Sequence, residues 1–202
     1  MLFRSATLTY TAHSASPGDY ITISSALPSG WNGNYVINIV DANTMTFELA
    51  NNPGAYVSSG LVSYYTETYF NMASYSKAGN LDLVQDSTTG TVYALDIGTY
   101  QDNGLPIKYF IRTTKVDGGS NKEKYFSKFE LIGDKNPGTA YVRYSNDDYQ
   151  TWSNFRSMNL NSQRTQLYRT GRGRRRAYEI INYDNGPVRL EAMEITITEG
   201  VR

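Results

Sequence analysis

The sequence has no cysteine. Disulfide bonds, thiolate metal sites and thiol nucleophiles are therefore excluded, and packing and strand pairing must hold the chain together. It has a single histidine, His13, in a polar segment with no Cys, Asp or Glu at metal-ligand spacing. A Ser–His–Asp triad would have to use His13, and no G-x-S-x-G elbow accompanies it, so triad chemistry is not expected. No apolar run approaches the roughly 18 residues of a membrane span. The opening MLFRSATLTY lacks the hydrophobic stretch of a secretory signal, so synthesis in the cytosol is expected. Apolar residues at helical spacing are nearly absent as well, which removes the main argument for helices. Net charge is also missing, because 19 Lys and Arg balance 19 Asp and Glu. The balance is uneven along the chain: residues 1–67 carry one basic against four acidic residues, and residues 68–202 carry eighteen against fifteen. Neither value marks a whole-domain nucleic-acid binder, so contact with nucleic acid would need a local patch.

What is present is 18 tyrosines and 17 glycines in 202 residues, a composition of sheets and interfaces. Short alternating runs bounded by Gly, Pro, Asn and Asp recur throughout and define an all-β chain. In the first region TLTYTA, DYITISS, NYVINIVD, TMTFELA and GLVSYYTETY read as strands of a small N-terminal β-barrel or sandwich, with residues 35–49 as one hairpin. A boundary is expected within residues 63–71, giving a β-module over 1–67 and a β-sandwich over 68–202. In the second, LDLVQDSTTGTVYALD reads as a hairpin turning at Asp86 to Gly90. LPIKYFIRTTKV, KYFSKFELIGD, TAYVRYSND, RAYEIINYD and LEAMEITITEG supply further strands. Length suffices for two modules with their own cores, each expected to fold from its own strand set.

Few residues offer chemistry. Asp96, Asp102, Glu130, Asp147 and Asp148 could form the paired carboxylates of a glycoside hydrolase. All lie beside turns or strand ends, where such side chains usually accept backbone N–H groups. Asn146-Asp147-Asp148 has only a fragment of calcium-loop spacing, so no metal or other cofactor is expected. Tyr64, Tyr65, Tyr69 and Tyr109 suit packing, interfaces or stacking on sugar rings, and composition does not choose among these. The sharpest feature is the run 169–176, with Arg169, Arg172, Arg174, Arg175 and Arg176 within eight residues. Such forks grip carboxylates or phosphates. Pairing with acids on neighbouring strands or subunits is the favoured reading, and DNA the second.

Residues 79–107, GNLDLVQDSTTGTVYALDIGTYQDNGLPI, are similar to a pattern in the packaged-DNA stabilisation or tail hub proteins of short-tailed bacteriophages. The turn Asp86 to Gly90 leads to a V-Y-x-L-D strand at Val92 to Asp96. Tyr100, Asp102, Gly104, Pro106 and Ile107 follow, then the pair Arg112 and Thr113. Further matches are Arg143, Ser145, Asp147, Asp148, Thr151, Trp152 and Ser153, then the arginine-rich segment and the turn Asp184 to Pro187. The resemblance covers residues 70–202, about two thirds of the chain, and rests on the order of the matches. Family members are much longer at their N-terminal side. Residues 1–67 instead resemble a small phage β-module.

The resemblance implies a structural, non-enzymatic component of a phage tail or head-to-tail connector. Such a protein would assemble as a homo-oligomeric ring, a hexamer, help close the DNA channel and carry tail parts. Other tail or connector proteins and packaged DNA are the implied partners, and the virion tail the implied location. The competing readings are a host-surface glycan-binding module of the tail and, behind it, a glycan-cleaving tail enzyme.

Overall fold

The computed structural model describes residues 4–65 and 71–200. The expected boundary at residues 67/68 and Tyr69 lie outside them. The all-β expectation holds: among the described residues there is no α-helix, and one 3-10 turn at Ser29–Trp31 is the exception to strands and loops.

The front region is one five-stranded antiparallel sheet. Its strands are β1 (Arg4–Thr9), β2 (Tyr20–Ser24), β3 (Gly33–Asp41), β4 (Thr44–Leu49) and β5 (Leu61–Tyr64), in the order β1-β4-β3-β2-β5. Alternation explains it, for Met45, Phe47 and Leu49 point inward along β4 while Thr44, Thr46 and Glu48 do not. Those three pack with Ile21, Ile23 and Ile37 in a core of their own. The expected 35–49 hairpin is β3–β4, with Asp41 accepting the Asn43 N–H at 2.8 Å in its turn. The sheet does not close into a barrel.

Residues 108–200 form two sheets packed face to face, the sandwich expected over 68–202, but residues 71–107 form separate sheets outside it. One holds β11 (Tyr109–Arg112), β17 (Ala177–Asn182), β13 (Thr139–Ser145) and β14 (Arg156–Asn159), in that order. The other holds β15 (Thr165–Tyr168), β12 (Lys124–Gly133) and β16 (Arg172–Gly173), with β18 (Leu190–Glu199) also paired to β12. Phe129 and Leu131 on β12 meet Val142 on β13 and Tyr178 and Ile180 on β17 between them. LEAMEITITE, although helix-tolerant at its start, is strand because β12 pairs along its length and its apolar face closes this core.

The front sheet lies on the outer face of the β17 sheet, making a third layer. Val36 packs with Phe155, Ile181 and Tyr183, and the Tyr20 ring stacks on Tyr183 at 4.5 Å. Polar bonds fix the docking: Phe155 N donates to Asn38 Oδ1 at 2.7 Å, Ser157 N and Oγ donate to Glu48 at 2.9 and 2.6 Å, and Tyr183 Oη donates to the Gly18 carbonyl at 3.0 Å. Gly18 has φ +94° and is so close that an added Cβ would sit 2.8 Å from the Phe155 ring.

In chain order between these two regions come β6 (Met72–Ala78), β7 (Leu81–Asp86) and β8 (Val92–Leu95), a separate three-stranded sheet in that order, followed by the short ribbon β9 (Gln101–Asp102) and β10 (Leu105–Pro106). The hairpin expected to turn at Asp86 to Gly90 is β7–β8. Asp86 accepts the Thr88 N–H and the Thr89 hydroxyl, and Gly90 takes φ +74°.

Candidate functional site

The five arginines of the 169–176 run do not act alike. Arg176 is buried inside the sandwich end, its guanidinium 3.9 Å from the ring centres of both Phe126 and Tyr144. It donates to Asn146 Oδ1 at 2.8 Å, to the Thr170 carbonyl at 2.7 Å and to Thr170 Oγ1 at 3.1 Å. Burial lowers its pKa, with Tyr178 opposing. This side chain is spent on the fold. Arg175 pairs with Asp148, which also holds Lys115 at 3.0 Å, and Arg172 lies 3.4 Å from Glu123. These are pairings within one chain. Arg169 and Arg174 have no side-chain partner among the described residues, and the Arg174 carbonyl accepts from the buried Lys124 ammonium at 3.1 Å. Gly171 with φ +80° and the β16 pairing to Lys124 and Tyr125 hold the run as a defined turn.

Several positions that carry the phage resemblance converge in space although they are distant in sequence. Arg112 on β11 and Arg143 on β13 flank Glu179 on β17 in register and grip its two carboxylate oxygens, each at 2.7 Å at closest. The Trp152 ring covers both guanidinium groups, 5.3 Å from Arg112 and 4.8 Å from Arg143. Burial lowers the Arg143 pKa and Glu179 pulls it back up. Thr113 Oγ1 accepts the Tyr178 N–H at 2.9 Å, and Ser145 Oγ donates to Asp147 at 2.8 Å. Sequence reasoning missed Glu179, the acid that unites this brace; a lone Glu inside the apolar run AYEIIN was the available signal.

Four of the five candidate acids, Asp96, Glu130, Asp147 and Asp148, are engaged locally, while Asp102 lies on β9 with no side-chain hydrogen bond or ion pair among the described residues. Asp147 accepts from the Thr151 hydroxyl and from the Thr151 N–H at 2.9 Å, which hold its carboxyl below the usual range. Asp96 is lowered by the Gly98 N–H and the Thr99 hydroxyl, and Glu130 by Lys128 and Gln166. His13 Nε2 meets the Asp41 carbonyl at 2.9 Å. Among the described residues no group of three His, Cys, Asp or Glu side chains is placed to hold a metal ion, and no helix is long and apolar enough to cross a membrane.

Two surfaces among the described residues bear most directly on function. A cleft of about 620 Å³ lies where the front sheet meets the β9–β10 ribbon and the 183–185 turn. Tyr20, Tyr64, Tyr65 and Tyr183 line it together with Asn34, Gln101 and Asp184. Tyr109 lies on β11, away from this lining. The second surface is the β6–β7–β8 sheet, on neither face of which another sheet packs among the described residues. Val84 is its one buried residue, in register between Tyr75 and Tyr93, while Met72, Tyr75, Leu81, Val92 and Leu95 are all more than half exposed. No protein-family model matches the chain, and no curated protein matches it. The site is therefore read from its geometry.

Proposed function

We propose that the chain is a structural, non-enzymatic subunit of a bacteriophage tail or head-to-tail connector. Copies assemble into a ring that helps close the DNA channel and carries neighbouring tail parts. The observation that carries this reading is the β6–β7–β8 sheet, a folded element with apolar side chains on both faces and no core of its own. A sheet that leaves apolar side chains exposed on both faces gains little burial within the monomer, so an element of this kind is built to be covered. It falls within residues 70–202, the part of the chain with the phage resemblance. The test is electron microscopy of the purified full-length chain. Closed rings are expected, with six copies as the implied number, and a chain that stays monomeric at every concentration overturns the reading.

A second reading, a host-surface glycan-binding module of the tail, draws on the tyrosine-lined cleft. Tyrosine faces stack on sugar rings, and the amide and carboxylate groups of Asn34, Gln101 and Asp184 can accept or donate to hydroxyls. A glycan array separates the readings: saccharide binding that Tyr64→Ala abolishes supports the second, and no binding removes it.

A further inference from the structure

The bare sheet has a chemically matched surface elsewhere on the same chain. Residues 71–107, which include it, carry one Lys against four Asp, a net −3. Residues 108–200 carry sixteen Lys and Arg against eleven Asp and Glu, a net +5. On one face of the bare sheet Leu81 and Leu83 stand beside Ala94 and Val92. On the outer face of the β12 sheet, Tyr125 and Tyr168 are each more than half exposed and border a hollow of about 760 Å³ with Ser127 and Arg169. Arg169 has no side-chain partner among the described residues. Asp82 is paired with Lys77 on the opposite face, so it is Asp86 and Asp96, at the two ends of the sheet, that give this aliphatic face an acidic rim suited to an aromatic hollow beside Arg169.

We infer that the β6–β7–β8 sheet of one copy docks on the Tyr125–Tyr168–Arg169 hollow of a second copy of this chain. Its aliphatic face covers the two tyrosines, and its acidic rim neutralises Arg169 and the neighbouring arginines. Donor and acceptor are different patches, so the contact is heterologous: it repeats head to tail and closes into a ring when the rotation permits. The inference deepens the assembly reading above and rests on it.

The test uses the full-length chain in sedimentation velocity and oxidative cross-linking. Val92→Asp, on an exposed edge strand, and Arg169→Glu, on an exposed turn, should each weaken self-association about tenfold or more while leaving the circular dichroism spectrum unchanged. The natural absence of cysteine makes cross-links unambiguous. Ser76→Cys, on the same sheet face as Leu83, and Ser127→Cys, in the hollow, should form a disulfide-linked dimer when the two variants are mixed. Neither variant should dimerise efficiently alone. Rings that persist in both charge variants with no mixed cross-link overturn this inference and leave ring assembly standing. Efficient Ser76→Cys dimers alone overturn it in favour of a sheet-to-sheet contact. A chain that stays monomeric overturns both.

Discussion

Strands β7 and β17 are both central in antiparallel sheets, and both are short apolar runs broken by carboxylates, LDLVQD and AYEIIN. All six residues of β17 are buried, Glu179 included, whereas in β7 only Val84 is. The difference lies in the layers rather than the strands. β17 has the sandwich core on one side; on the other, the front sheet covers Ile181, and Arg112 and Arg143 beneath Trp152 enclose and match Glu179. Among the described residues β7 has no layer on either side. A buried strand and an exposed strand can therefore be written in nearly the same residues, and what separates them is whether another surface arrives.

That contrast can be broken at points where the enclosed part should be costly to disturb and the bare part cheap. The largest effect is expected at Arg176→Ala, which empties the space between Phe126 and Tyr144 and strands the acceptors on Thr170 and Asn146. A loss of about 3 to 5 kcal/mol in urea unfolding is expected. Asn38→Ala comes next. It leaves the buried Phe155 N–H at the contact between the front sheet and the sandwich without an acceptor, for a loss of about 1 to 3 kcal/mol by the same measurement. Val92→Asp, on the bare sheet, should move monomer stability by no more than about 0.5 kcal/mol although it disrupts self-association. If Val92→Asp instead destabilises as much as Asn38→Ala, the bare sheet is packed in the monomer and the comparison fails.

Much of the fold was legible because alternation is a local signal. TMTFEL announces which of its side chains face inward, and Asp86 to Gly90 announces a turn. Strands β6, β14 and β15 gave weaker signals. MASYSKA has few apolar residues to alternate, and RSMN and TQLY are four-residue strands fixed by their partners β13 and β12. The third layer was not legible, since nothing in the run AYEIIN says which surface will lie against Ile181. Nor was the division within the arginine run. Five arginines in a row of eight read as a surface, and only the closeness of the Phe126 and Tyr144 rings shows that Arg176 belongs inside, whereas Arg169 and Arg174 have no side-chain partner among the described residues.

The double enclosure of β17 also sets a clock for the molecule. It pairs with β11 on one edge and β13 on the other, and all six of its residues are buried, between the sandwich core on one face and the front sheet with the Trp152 brace on the other. Solvent can reach its amide hydrogens only when the pairing with β11 and β13 opens, which takes the sandwich apart. In deuterated water they should be the last in the chain to exchange, on the timescale of global opening, while the amides of β6 and β8 exchange early in the free monomer. Slowing of exchange at β6 and β8 on assembly would then report the moment at which their missing layer arrives.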